Sequence, residues 1–153
     1  MPPPFSTLLS FLIILALALP FSLAHFVIVS PKSIGFVDTD EGIGPCGGIP
    51  ISTRTPLTTW PVAGYPVAII STHPNAVWQF RAALLNSTDT FVYATPPLYQ
   101  ASLGVFCFTI PGPKEWIGLD GVVQIIQNAV DGSLFQVRSH LPRYPHLGIH
   151  TYY

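Results

Sequence analysis

Apolar residues in this chain gather into short runs between Pro, Gly, Asn and Asp, and the runs carry the period of strands. "AVWQFRAAL" (76–84) is the clearest. Ala76, Trp78, Phe80 and Ala82 alternate with the residues between them, which marks a strand with one buried face and puts Trp78 in the core. "HFVIVS" (25–30), "PVAIIST" (66–72), "GVFCFTI" (104–110) and "DGVVQIIQNAV" (120–130) are further β-rich runs. "SLFQ" (133–136) follows a turn signal at Asp131–Gly132, so residues 122–136 are predicted to form a hairpin. Strands at this spacing, with no heptads, internal repeat or linker between them, predict a single all-β domain folded as a small sandwich. "GFVDTDEGIGPCGGIP" (35–50) is expected to be a long surface loop, permitted by its glycines and kept in water by its acids. Trp60 and Trp116 fall in Pro-rich or Gly-flanked stretches expected to be loops.

The two ends differ from this middle. Residues 1–24 carry no charged side chain and hold an apolar run from Leu8 to Leu19, then Pro20, Ser22 and Ala24. A helix breaker followed by a small-x-small site is the pattern of a secretory signal cut after Ala24, which would make His25 the first mature residue. The run is short of the ~20 apolar residues of a membrane span. At the other end, "VRSHLPRYPHLGIHTYY" (137–153) shows no period and no hydrophobic tail of the kind a GPI signal has, and is expected to be neither strand nor anchor signal.

Composition adds exclusions. Hydrophobic residues make up 49% of the chain and charged ones 8%, with a net charge of −1, so nothing suggests a nucleic-acid partner. The two cysteines, Cys46 and Cys107, are too far apart for a zinc site and are candidates for one disulfide in an oxidising compartment. "NST" at 86–88 makes Asn86 a candidate glycosylation site. No Ser-His-Asp order, phosphate loop or paired-carboxylate motif stands out.

A histidine at a free N-terminus has chemistry that an internal one lacks. Its α-amine, with a reference pKa of ~8, and its ring Nδ1 can chelate one metal together. One more imidazole completes three nitrogens in a plane, an arrangement suited to Cu(II). The best second ligand is His73, in "STHPNAVW" between two predicted strands; alone it would read as a solvent-facing turn histidine. His140, His146 and His150 sit in the aperiodic tail. Asp38, Asp40 and Glu41 read as a solvated acidic loop.

"HFVIVSPKSIGFVDTDEGIGPCGG" behind a signal peptide, then "WPVAGYPVAIISTHPNAVWQF", then "DGSLFQ", resemble the fungal copper proteins similar to lytic polysaccharide monooxygenases, the copper acquisition factor family. The match covers about residues 25–136. The resemblance implies an immunoglobulin-like β-sandwich with copper as cofactor, held by a histidine brace of His25 and His73. It implies a secreted or cell-surface location, often with a GPI anchor in the family. It further implies partners such as a membrane copper transporter or the cell wall, and no oxidative cleavage of polysaccharides. Where the family's strand continues Cys-Ala-Asp and supplies a further copper ligand, this chain reads Val137-Arg138-Ser139. Gln-Val-Arg can be encoded by CAG followed by GTACGT, a plausible intron donor, so residues 137–153 fit a translated intron that leaves the sandwich without its last strand. The expected function is copper binding for acquisition or homeostasis. The alternatives are an oxidative polysaccharide monooxygenase and a wall-associated structural sandwich.

Overall fold

The computed structural model describes residues 25–52 and 57–143. The stretch expected to be a leader (1–24) lies outside the described residues, as do His146 and His150.

Two sheets face each other. One has three antiparallel strands in the order β1 (Phe26–Ser30), β3 (Tyr65–Ser71), β7 (Gly104–Ile110). The other runs β2 (Thr58–Pro61), β9 (Gly132–Arg143), β8 (Gly121–Ala129), β4 (Ala76–Leu84), β5 (Val92–Tyr93). The short β6 (Leu98–Gln100) also pairs with β4. The runs at 76–84 and 104–110 form strands with those bounds. Alternation chooses what lies between the sheets. Phe26 and Ile28 of β1, Val67 and Ile69 of β3 and Ile110 of β7 pack in one cluster with Trp78, Phe80, Val123 and Ile125. Phe26 meets Trp78 edge to face at 5.1 Å between ring centroids, a geometry aromatic quadrupoles favour. The all-β sandwich expected from the pattern is what forms.

Several local expectations are corrected. The 35–50 segment is not simply a solvated loop. Cys46 packs with Ile34 and Val137 in a second cluster, flanked by Ile49 and Ile51, on the outer side of the larger sheet. Gln124 Nε2 donates to Pro45 O at 2.6 Å, and Phe135 N–H donates to Glu41 O at 2.8 Å. β8 is therefore covered on both faces and buried along most of its length. The "PCGG" turn requires its glycines. Gly47 has φ +64°, and a Cβ there would lie 2.3 Å from the backbone oxygen of Phe135.

Trp60 is in β2 rather than a loop, fully buried, with Nε1 donating to Ile110 O at 2.8 Å. The strand after the hairpin does not stop at Gln136. β9 continues to Arg143, where β2 pairs with it in parallel, Thr58 opposite His140. Val137 and Arg138 are buried, and Arg138 Nε donates to Thr58 Oγ1 at 2.7 Å. Nearer the hairpin, β9's outer edge is taken by Ile34 N–H and Ser33 Oγ, both donating to Val137 O. This edge of the larger sheet is thus paired by β2 and by the loop. The hairpin turn also sits one residue early. Ala129 pairs with Gly132, so Val130 and Asp131 are the turn residues and Gly132 (φ +137°) opens the strand.

The candidate disulfide does not form. Cys46 is a buried free thiol under the loop, while Cys107 is an exposed free thiol on β7. Cys107 alternates with Phe106 and Phe108, so its side chain leaves the sheet on the side away from the core.

Candidate metal centre

β1 and β3 bring the two candidate ligands to one end of the smaller sheet. Their register pairs Phe26 with Ser71. One step further, His25 and Thr72 clasp each other. His25 N–H donates to Thr72 Oγ1 (2.8 Å), and His25 O accepts from Thr72 N–H (3.0 Å) and Thr72 Oγ1 (2.9 Å). His73 is the next residue. Its main chain is held on both sides, with its N–H donating to Ser71 Oγ (3.2 Å) and its C=O accepting from Gln100 Nε2 (2.6 Å). Gln100 Oε1 in turn accepts from Trp78 Nε1 (2.8 Å), and Gln127 Nε2 donates to Ser71 Oγ (2.6 Å). A buried polar network of this kind fixes a turn that apolar packing alone would leave free to shift.

Each ring has a carboxylate beside one nitrogen. His25 Nε2 lies 3.6 Å from Asp38 Oδ1, and His73 Nδ1 lies 3.6 Å from Asp131 Oδ1. His25, Asp38 and Asp131 line one cleft of about 400 Å³, together with Ser133 and Leu134. The orientation of both rings is informative. Only Nδ1 of an N-terminal histidine can close a chelate with its own amine, and His25 presents the other nitrogen, Nε2, to Asp38. His73 turns Nδ1 to Asp131, and its Nε2 is buried with no hydrogen-bond partner.

Glu41 is not the solvated acid expected. It is 1% exposed. Burial pushes its carboxyl up to about 7, against the opposing pull of a hydrogen bond from Gln136 and the nearby His25. Gln136 Nε2 donates to Glu41 Oε1 (2.8 Å) and to Phe26 O, while its Oε1 accepts from Ile28 N–H (3.3 Å). One amide thereby ties the edge of β1 to both β9 and the loop. The buried side-chain N and O atoms without partners among the described residues are Glu41 Oε2, His73 Nε2 and Gln127 Oε1. All three belong to side chains around the start of β1. Native proteins rarely leave such atoms unpaired, so this cluster of unpartnered polar atoms is the part of the core whose chemistry calls for a further partner.

The donor set fits a metal only with a main-chain group. Among the described residues no three His, Cys, Asp or Glu side chains gather closely enough to hold an ion. A site built from two imidazoles and a terminal amine needs no third side chain. His140 is not brought there. It stands eight residues along β9 from Gly132 at the cleft, roughly 26 Å at ~3.3 Å per residue. Asn86 is exposed in the turn that leaves β4. No helix of the described residues is long and apolar enough to cross a membrane.

Sequence reasoning singled out His25 and His73 as candidates but did not point to Ser71, Gln100, Gln127, Gln136 or the buried state of Glu41. Strand parity carried a signal for two of them. Ser71 continues the inward series of Val67 and Ile69, and Gln127 that of Val123 and Ile125, so each is a polar residue in a core position that needs a partner there.

Residues 23–137 match the sequence profile of the copper acquisition factor BIM1-like domain. The copper acquisition factor BIM1 of Cryptococcus neoformans var. neoformans is 32% identical over 143 residues, covering 84% of this chain. The chain spans 64% of that relative's length. With the profile match running from the residues before His25 through the β8–β9 hairpin, the chain belongs to the BIM1-like copper acquisition factor family.

Proposed function

We propose that this chain is exported, cut after Ala24, and binds one copper ion through the amine and Nδ1 of His25 and Nε2 of His73. Copper is its cargo, taken up for acquisition or homeostasis and passed to a membrane transporter or retained at the cell wall. The carrying observation is the His73 ring, buried with Nε2 unpartnered, one residue from the threonine that clasps His25. Three nitrogen donors, two of them in one chelate, suit Cu(II), which also heads the affinity order of the divalent ions. Family membership and the relative's name support copper as the ion. Metal binding displaces the proton of the amine, with its reference pKa of ~8, which neutral pH permits. Asn86 is the proposed glycan site on the exported protein; its exposure in a turn supports that reading.

The test is Cu(II) titration, against a competing chelator, of protein whose first residue is confirmed as His25 by N-terminal sequencing. His25→Ala and His73→Ala should each weaken binding on the order of 100-fold. Retaining Ala24 ahead of His25 should do the same, because a peptide nitrogen replaces the amine. Unchanged affinity in all three would overturn the proposal.

A further inference from the structure

Asp38 and Asp131 reach the same cleft from unrelated parts of the chain. Asp38 opens a 3-10 turn (Asp38–Asp40) in the loop after β1, and Asp131 is in the two-residue β8–β9 turn. Each stands 3.6 Å from a ring nitrogen of a different histidine, and in both cases it is the nitrogen the brace does not use. Were the two acids merely part of a solvated rim, there would be no reason for them to select the non-ligating nitrogen in both rings.

Imidazole chemistry gives the pairing a consequence. In a neutral ring one nitrogen carries the proton and the other offers a lone pair. A carboxylate beside Nδ1 of His73 holds the proton there and leaves the lone pair on Nε2, the buried and unpartnered atom. A carboxylate beside Nε2 of His25 leaves the lone pair on Nδ1, the nitrogen able to chelate with the amine. Outer carboxylates of this kind fix the tautomer and ring angle of metal-bound histidines and make the ligating nitrogen more basic. Two carboxylates at the cleft also offset the charge of a divalent ion, whereas position 139, seven residues along β9 from Gly132, is too far from the cleft to supply a ligand.

We propose that Asp131 and Asp38 are the positioning residues of the metal centre, Asp131 acting on His73 and Asp38 on His25. Asp131 has the larger effect, because its partner is buried (side chain 3% exposed), where water screens the pair least, whereas the His25 ring is 18% exposed. This inference rests on the copper-binding proposal.

The experiment uses the chain beginning at His25, with Cu(II) as probe. Affinity is read by chelator competition and the ligand field by electron paramagnetic resonance of the Cu(II) form. Asp131→Ala should weaken binding 10- to 100-fold and shift the copper hyperfine splitting, while circular dichroism of the metal-free protein shows the fold retained because Asp131 lies in an exposed turn. Asp131→Glu should restore most of the affinity, and Asp131→Asn, which keeps an acceptor oxygen but loses the charge, should fall between. Asp38→Ala should act in the same direction with a smaller loss. Full affinity and an unaltered spectrum in Asp131→Ala, alongside lost binding in His73→Ala, would overturn the positioning role and leave the copper site standing. If His73→Ala also bound copper unchanged, the copper site itself would fail.

Discussion

At the scale of residues, Glu41 has the clearest thermodynamic signature. Its carboxyl titrates near 4.5 when the chain is unfolded and about 7 when folded, because burial penalises the anion more than its neighbours favour it. Below pH 4.5 both states hold the proton and the group has no effect. Between 4.5 and 7 the unfolded chain releases it while the folded chain retains it, so stability falls as pH rises. The full loss, reached above pH 7, is on the order of 3 kcal/mol. Metal-free Glu41→Gln should lack this slope: in urea unfolding, its advantage over the parent should be larger at pH 8 than at pH 5. The cysteines give a second contrast. Burial pushes the Cys46 thiol up to about 11, while Cys107 is exposed. A thiol reagent at pH 8 should therefore label one cysteine in the native protein and two in denaturant. Their separation was illegible in the sequence, where two cysteines in an exported chain suggest a pair. Only the opposite placements of the loop and of β7's outer face show otherwise.

Among the elements, legibility followed the number of covered faces. β4 and β7 could be read with correct bounds because one face meets the core, so their side chains alternate. β8 has no such contrast because the 35–50 segment covers its second face. That segment looked like a surface loop because its burial depends on partners nearly a hundred residues away. β2 and the end of β9 were missed for a related reason: each is ordered by parallel pairing with the other, and neither has a local pattern. Two substitutions test these joints. Gly47→Ala sets a Cβ against the Phe135 backbone oxygen at a positive φ and should destabilise by about 2 kcal/mol or more, read as a lower urea midpoint. Gln136→Leu strips partners from Ile28 N–H, Phe26 O and Glu41 Oε1, and each buried group left unpaired costs roughly 1–3 kcal/mol. It should lower the melting temperature more than Gly47→Ala does.

For the whole molecule, the two histidines could be named as candidates from their place in the sequence and their chemistry, and the fold puts both at one end of the smaller sheet. The polar frame beneath them could not, because it joins β1, β3, β4, β6, β8 and β9 through side chains that meet only after the sheets stack. An ion that binds the folded state alone raises stability by about 2.7 kcal/mol at 100 times its Kd. Cu(II) should therefore raise the melting temperature by several degrees in the chain that starts at His25 and much less in one that retains Ala24, as calorimetry would show. The tail has its own check: sequencing of mature transcripts should show whether codons 137–153 are retained, and a spliced message would replace Val137 and Arg138, both packed here.

The clasp between His25 and Thr72 bears on the order of events in the life of the protein. It uses the main-chain nitrogen and oxygen of His25 with the N–H and hydroxyl of Thr72, and all of these are present whether or not residues 1–24 are cut away. β1 can seat itself against β3 in the precursor. The proposed cut after Ala24 would break one peptide bond beside this clasp without any strand having to move. Seating β1 and freeing the His25 amine are separable, because the clasp does not depend on a free amine. Under the copper-binding proposal, that cut adds only an amine to a histidine the fold already holds in place.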